Sequence, residues 1–83
     1  MALLTDPVML GSRIQEIRTG KKLTQAQLAK KAGCARKTII GLESGDNTST
    51  HTLFRVLTEL GMALDIQPHS VDLNLLASLV ESY

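Results

Sequence analysis

At 83 residues with 43% hydrophobic and 2% aromatic content, the chain fits one small domain with a core of Leu, Ile, Val and Ala, which excludes wholesale disorder. A single cysteine excludes an internal disulfide, and one Cys with two His argues against a four-ligand zinc site, so the stability that so short a core lacks is expected from a partner chain. The formal net charge of +1 hides an asymmetry: all nine Lys and Arg lie between Arg13 and Arg55 against three acids, whereas residues 56–83 carry four acids and no base, a distribution that fits either a polyanion partner for the first part or ordinary solvated helix faces.

In chain order, Asp6 and Pro7 open a first helix as cap and first helical residue. Leu10, Ile14 and Ile17 recur on one face, and Gly20 is expected to end the helix at a position favouring positive φ. Thr24 and Gln27 form a capping box for a second helix. Its inward face is Leu28 and Ala32, Ala29 reads as a small surface residue, and Gly33 ends it. A third helix runs roughly from Arg36 to Glu43 with Ile39 and Leu42 inward, closed by Gly45. Ser49 caps a fourth, whose inward residues are Leu53, Val56, Leu57 and Leu60, and Gly61 terminates it.

The period then changes. Met62, Leu64 and Ile66 alternate with smaller or polar residues, which reads as a half-buried strand ended by Pro68. A lone strand in a helical chain leaves its backbone N–H and C=O groups without partners. Antiparallel pairing with the same segment of a second copy satisfies them and buries Leu64 and Ile66; the alternative is an extended surface tail. Ser70 can cap a weak helix carrying Val71, Leu73, Leu76 and Val80. The expected layout is thus a domain over residues 6–61, a dimerising strand over 62–68 and a tail over 69–83.

Two short helices joined by a tight Gly-containing turn read as a helix-turn-helix. The run from Leu23 through Thr24, Gln25, Gln27, Leu28, Ala29 and Gly33 to Cys34, followed by Thr38-Ile39 and Leu42-Glu43-Ser44-Gly45, resembles the phage-repressor and Cro (XRE) type of helix-turn-helix over about residues 10–61. Asp46 to Thr50, leading into Leu53 to Leu57 and then Met62 to Ile66, looks like a HipB-type antitoxin. The resemblance implies an all-α fold, a four- to five-helix lambda-repressor-like domain whose short C-terminal β-strand pairs across a homodimer.

In such a fold the third helix lies in the major groove with its N-terminal residues against base edges. The resemblance puts Arg36, Lys37 and Gly41 at base-facing positions, with Thr38 in the same contact region. Helical geometry leaves 36, 37, 40 and 41 opposite Ile39 and Leu42. Arg36 can bond O6 and N7 of guanine together; Lys37 can do so less rigidly or hold a phosphate. Ile40 can pack on a thymine methyl or simply be a partly exposed apolar residue. Gly41 and Ala35 depart from the family, which has a polar side chain and a Ser or Thr cap there.

Thr24 and Gln25 begin the second helix, where N–H groups favour a phosphate, and the family analogy makes Gln25 a backbone contact. Asn47 and Thr48 precede the fourth helix and can hold another phosphate or serve only as turn residues. The resemblance also implies a partly buried structural ion pair between Arg18 and Glu43.

Cys34 reads as a small core residue, with a redox switch as the alternative. His51 and His69 are isolated. No nucleophile–base or paired-carboxylate arrangement stands out, so no enzyme, metal or cofactor is expected. No run of 18 apolar residues predicts a membrane span and no basic region precedes an apolar leader, so a cytoplasmic, nucleoid-associated protein is expected. Three functions remain open. The first is a repressor of a palindromic double-stranded operator, also the antitoxin of a HipA-type kinase toxin whose operon it represses. The second is a stand-alone phage- or plasmid-type repressor. The third is a protein-binding module whose helix-turn-helix no longer reads DNA.

Overall fold

The protein is described by a computed structural model covering residues 3–69. Four helices follow one another: α1 Pro7–Gly20, α2 Gln25–Ala32, α3 Arg36–Ser44 and α4 Thr50–Glu59. Asp6 accepts the Met9 N–H at 2.8 Å, and Ser49 accepts the Thr52 N–H at 3.1 Å. These local bonds set where α1 and α4 begin, each satisfying a donor the first turn cannot pair internally.

α1 packs on α3, α3 on α2, and α2 on α4. Their shared core holds Ile14, Leu28, Ala29, Ala32, Ile39, Leu42, Val56, Leu57 and Leu60. Burial of each Leu, Ile or Val removes it from water at a gain of about 1.5–3 kcal/mol. Ala29 belongs to this core rather than to the surface, a correction to the sequence reading. α2 is flanked by both α3 and α4, so its buried arc is wider than one stripe. Gly11 is buried where α1 meets the end of α3; a Cβ there would lie 2.4 Å from the Leu42 carbonyl oxygen. Only glycine permits that approach.

All four helices end in the same way, with an N–H two or three residues beyond the helix reaching back to the carbonyl five residues earlier. The bonds are Leu23 to the Arg18 oxygen at 3.2 Å, Cys34 to Ala29 at 2.9 Å, Asp46 to Gly41 at 2.8 Å and Met62 to Leu57 at 2.8 Å. This motif requires one residue of positive φ. Gly33, Gly45 and Gly61 supply it after α2, α3 and α4. After α1 it falls on Lys22, φ 59°, and Gly20 is the last helical residue. The expected positive φ at Gly20 is therefore wrong by two positions, because the motif counts from the carbonyls it closes. Here the Arg18 guanidinium also donates to the Leu23 oxygen at 2.7 Å and holds the turn there.

Residues 62–69 form no helix and no ladder among the described residues. Met62, Leu64 and Ile66 are exposed, Ile66 at 97%. The expected strand pairing is a property of two chains and is taken up below. The helix expected from Ser70 lies outside the described residues.

Candidate nucleic-acid interface

The burial of Ile39 and Leu42 fixes the rotation of α3 about its axis. Arg36 and Lys37 are exposed as a result, Ile40 is 41% exposed, and Thr38 and Gly41 are half-buried. Gly41 is not imposed by crowding within the chain. A Cβ there would meet only Asp46, at an ordinary 3.6 Å. Asp46 is itself exposed, so a carboxylate borders this face.

The two helix starts at this face are built differently. Thr24 Oγ1 accepts the Gln27 N–H at 3.0 Å, and Gln27 Oε1 accepts the Thr24 N–H at 2.8 Å. Ala35, ahead of α3, has extended backbone and no side-chain cap. The first N–H groups of α3 therefore face outward with the positive end of the helix, beside Arg36 and Lys37.

Behind this face lies a buried polar cluster. Arg18 Nε donates to Glu43 Oε2 at 2.6 Å and its Nη2 to Oε1 at 3.1 Å, with both residues under 10% exposed. Gln25 Nε2 donates to the same Oε1 at 3.1 Å. One carboxylate thus ties α1, the start of α2 and the end of α3 together. Sequence reasoning gave Gln25 a phosphate and missed this partner, which stands 18 residues away. The amide retains a second hydrogen for another acceptor.

The nine cations divide by what they hold. Arg18 is spent on Glu43. Arg13 pairs with Glu16 at 3.0 Å on an exposed surface, a contact of little energetic weight. Arg55, which sequence reasoning did not single out, donates Nε and Nη2 to the Ala32 oxygen at 2.9 and 2.6 Å, and Nη2 also to the Gly33 oxygen. Lys21, Lys22, Lys30, Lys31, Arg36 and Lys37 are exposed and form no ion pair among the described residues. They lie at the end of α1, the end of α2 and the start of α3; Lys22 and Arg36 border one cleft with Thr24 and Gln25, a positive surface of the kind a phosphate backbone attracts, while Lys31 borders another with Arg55.

Asn47 is exposed and Thr48 half-buried in the turn before α4; neither makes a side-chain hydrogen bond among the described residues. Cys34 is half-buried against the core edge, while His51 and His69 are exposed. An apolar cleft separates Leu3 and Leu4 from Leu64, with Leu10, Leu42 and Leu53 lining it and Asp46, Asn47 and Thr48 at its edge. No helix among the described residues is long and apolar enough to cross a membrane.

Residues 14–67 match the family model described as "Helix-turn-helix". No curated protein sequence matches the chain. Among solved structures, a HipB variant in complex with an O2 20mer is 30% identical, with 84% of this chain and 99% of that one aligned at a TM-score of 0.77. The HipA-HipB-O2-O3 complex contains a chain that is 28% identical, with 84% and 100% aligned at the same TM-score. The restriction-modification controller protein C.AhdI from Aeromonas hydrophila is 35% identical over 68% of this chain and 86% of its own, with a TM-score of 0.64.

Proposed function

The chain belongs to the helix-turn-helix family of the XRE type, and from that premise we propose that it is a homodimeric, sequence-specific DNA-binding repressor that also serves as the antitoxin of a HipA-type kinase. The observation that carries the DNA-binding part is the outward face of α3, where Arg36 and Lys37 stand exposed at an uncapped helix start. Arg36 reads guanine through two hydrogen bonds, Lys37 takes a base or phosphate, and Ile40 packs on a thymine methyl. Thr24 and Gln25 at the α2 start, and Asn47 and Thr48 before α4, hold phosphates on either side and set the register.

The antitoxin part rests on likeness to HipB, which is solved both in complex with a 20mer and together with HipA. Dimerisation rests on the exposed Met62, Leu64 and Ile66, in a segment whose backbone beyond the Met62 N–H has no partner among the described residues. Paired antiparallel across a two-fold axis, two such segments place two α3 helices on major grooves about 34 Å apart.

The test is operator binding together with oligomeric state. Arg36→Ala is expected to cost about 1–3 kcal/mol and relax preference at one base position; an equal loss on every duplex contradicts base reading. Leu64→Lys is expected to give monomers in sedimentation, and an unchanged dimer contradicts strand pairing. Co-purification with a kinase from the native host tests the antitoxin part. A second reading, a stand-alone transcriptional regulator without a toxin, is favoured by the 35% identity to the C.AhdI controller protein; a neighbouring gene without a kinase decides for it.

A further inference from the structure

We infer that Arg55, although it belongs to the basic surface by charge, is a positioning residue for base reading rather than a phosphate contact; this rests on the DNA-binding reading above. Its Nε and Nη2 both donate to the Ala32 oxygen, the last residue of α2, and Nη2 also reaches the Gly33 oxygen. The guanidinium therefore closes the C-terminal end of α2, where unpaired carbonyls and the negative end of the helix favour a cation. Gly33 makes room for it: a Cβ at that residue would lie 2.7 Å from Nη2.

The position of this clamp gives it a role in recognition. Only Gly33, Cys34 and Ala35 separate α2 from α3, and the base-facing Arg36 follows at once. Ala35 provides no side-chain cap to fix the start of α3 from within. The turn is instead fastened from α4, through a planar fork that binds two successive carbonyls. A lysine keeps the charge but lacks the fork. Nε and Nη2 are committed to the protein, so Arg55 is expected to add little to the salt dependence of binding, although its charge is exposed.

The experiment measures the affinity of the full chain and of Arg55→Lys and Arg55→Ala by fluorescence anisotropy at several salt concentrations. The probes are the duplex that the unmodified protein selects from a random pool and a scrambled duplex of the same composition. Circular dichroism and amide spectra at a temperature well below unfolding verify that the variants are folded. Both variants are expected to lose about tenfold on the selected duplex, the equivalent of one base contact, and little on the scrambled one. The salt slope of each is expected to match that of the unmodified protein, and the amide signals of Cys34 to Lys37 to shift in both. A salt slope lowered by about 0.9 in Arg55→Ala, with Arg55→Lys behaving like the unmodified protein, makes Arg55 a phosphate contact and overturns the inference. Variants that keep full discrimination overturn it as well. If Arg55→Ala does not fold, Arg55→Lys alone decides. An unmodified protein that selects no sequence overturns the DNA-binding reading itself, and the inference with it.

Discussion

α2 and α3 are near twins that differ at one end. They span 8 and 9 residues, sit side by side in one motif, and close on a left-handed glycine with the same backbone bonds. α2 begins in a reciprocal capping box whose partners lie within four residues of each other. α3 begins at Ala35 with no side-chain cap. The start of α2, proposed to face phosphates, is thus fixed by its own sequence. The start of α3, proposed to face bases, is fixed by what surrounds it: Ile39 and Leu42 in the core, Glu43 on Arg18, and Arg55 on the preceding turn. Local capping tolerates change elsewhere in the protein, whereas a helix held from outside inherits every disturbance of its neighbours.

The largest break in this pattern comes from the buried carboxylate. Glu43→Gln leaves the Arg18 guanidinium buried without its counter-charge, at an expected cost of about 3–5 kcal/mol in chemical denaturation. It also weakens the tie to Gln25. Both helices of the motif are affected together, so operator binding is expected to fall even where the fold survives. A loss below about 1 kcal/mol means that water reaches the pair and that the cluster is not the joint described above.

Next comes the cap that α2 makes for itself. Thr24→Ala removes the acceptor of the Gln27 N–H and is expected to cost about 1 kcal/mol. Because the damage is local, hydrogen exchange is expected to quicken in the first turn of α2 and to stay unchanged in α3. Faster exchange in both helices contradicts the separation between a self-capped helix and an externally held one.

The same division decides what the sequence discloses. Asp6, Thr24 with Gln27, and Ser49 are legible because each bonds a donor three residues on, so that type and spacing alone carry the signal. The inward residues of α3 are legible by period, and with them the outward set that includes Arg36 and Lys37. Arg18 with Glu43 is reached only through family resemblance, since 25 residues separate them. Gln25 on Glu43 and Arg55 on Ala32 join residues 18 and 23 apart, and nothing near either one in the sequence marks its partner. Gly11 carries no turn signal because its role is to let the end of α3 come close. Gly20 misleads for the opposite reason: a turn residue stands near a turn, but the carbonyls that the motif closes put the left-handed backbone at Lys22.

The smallest effect sharpens the contrast most directly. Ala35 already has φ −77° and ψ 150°, the extended backbone of a capping residue, and its side chain is exposed. Serine at that position needs no backbone change and brings an oxygen within reach of the first free N–H groups of α3. Ala35→Ser is expected to stabilise the protein by about 0.5–1 kcal/mol in chemical denaturation. If α3 is held from outside, the new cap leaves the orientation of Arg36 and Lys37 as it was. Discrimination between duplexes is then unchanged, and the gain appears only as stability. A rise in stability together with a change in base preference means that the uncapped start was itself setting how α3 meets the groove, and that the two helices differ in function because of that single missing hydroxyl.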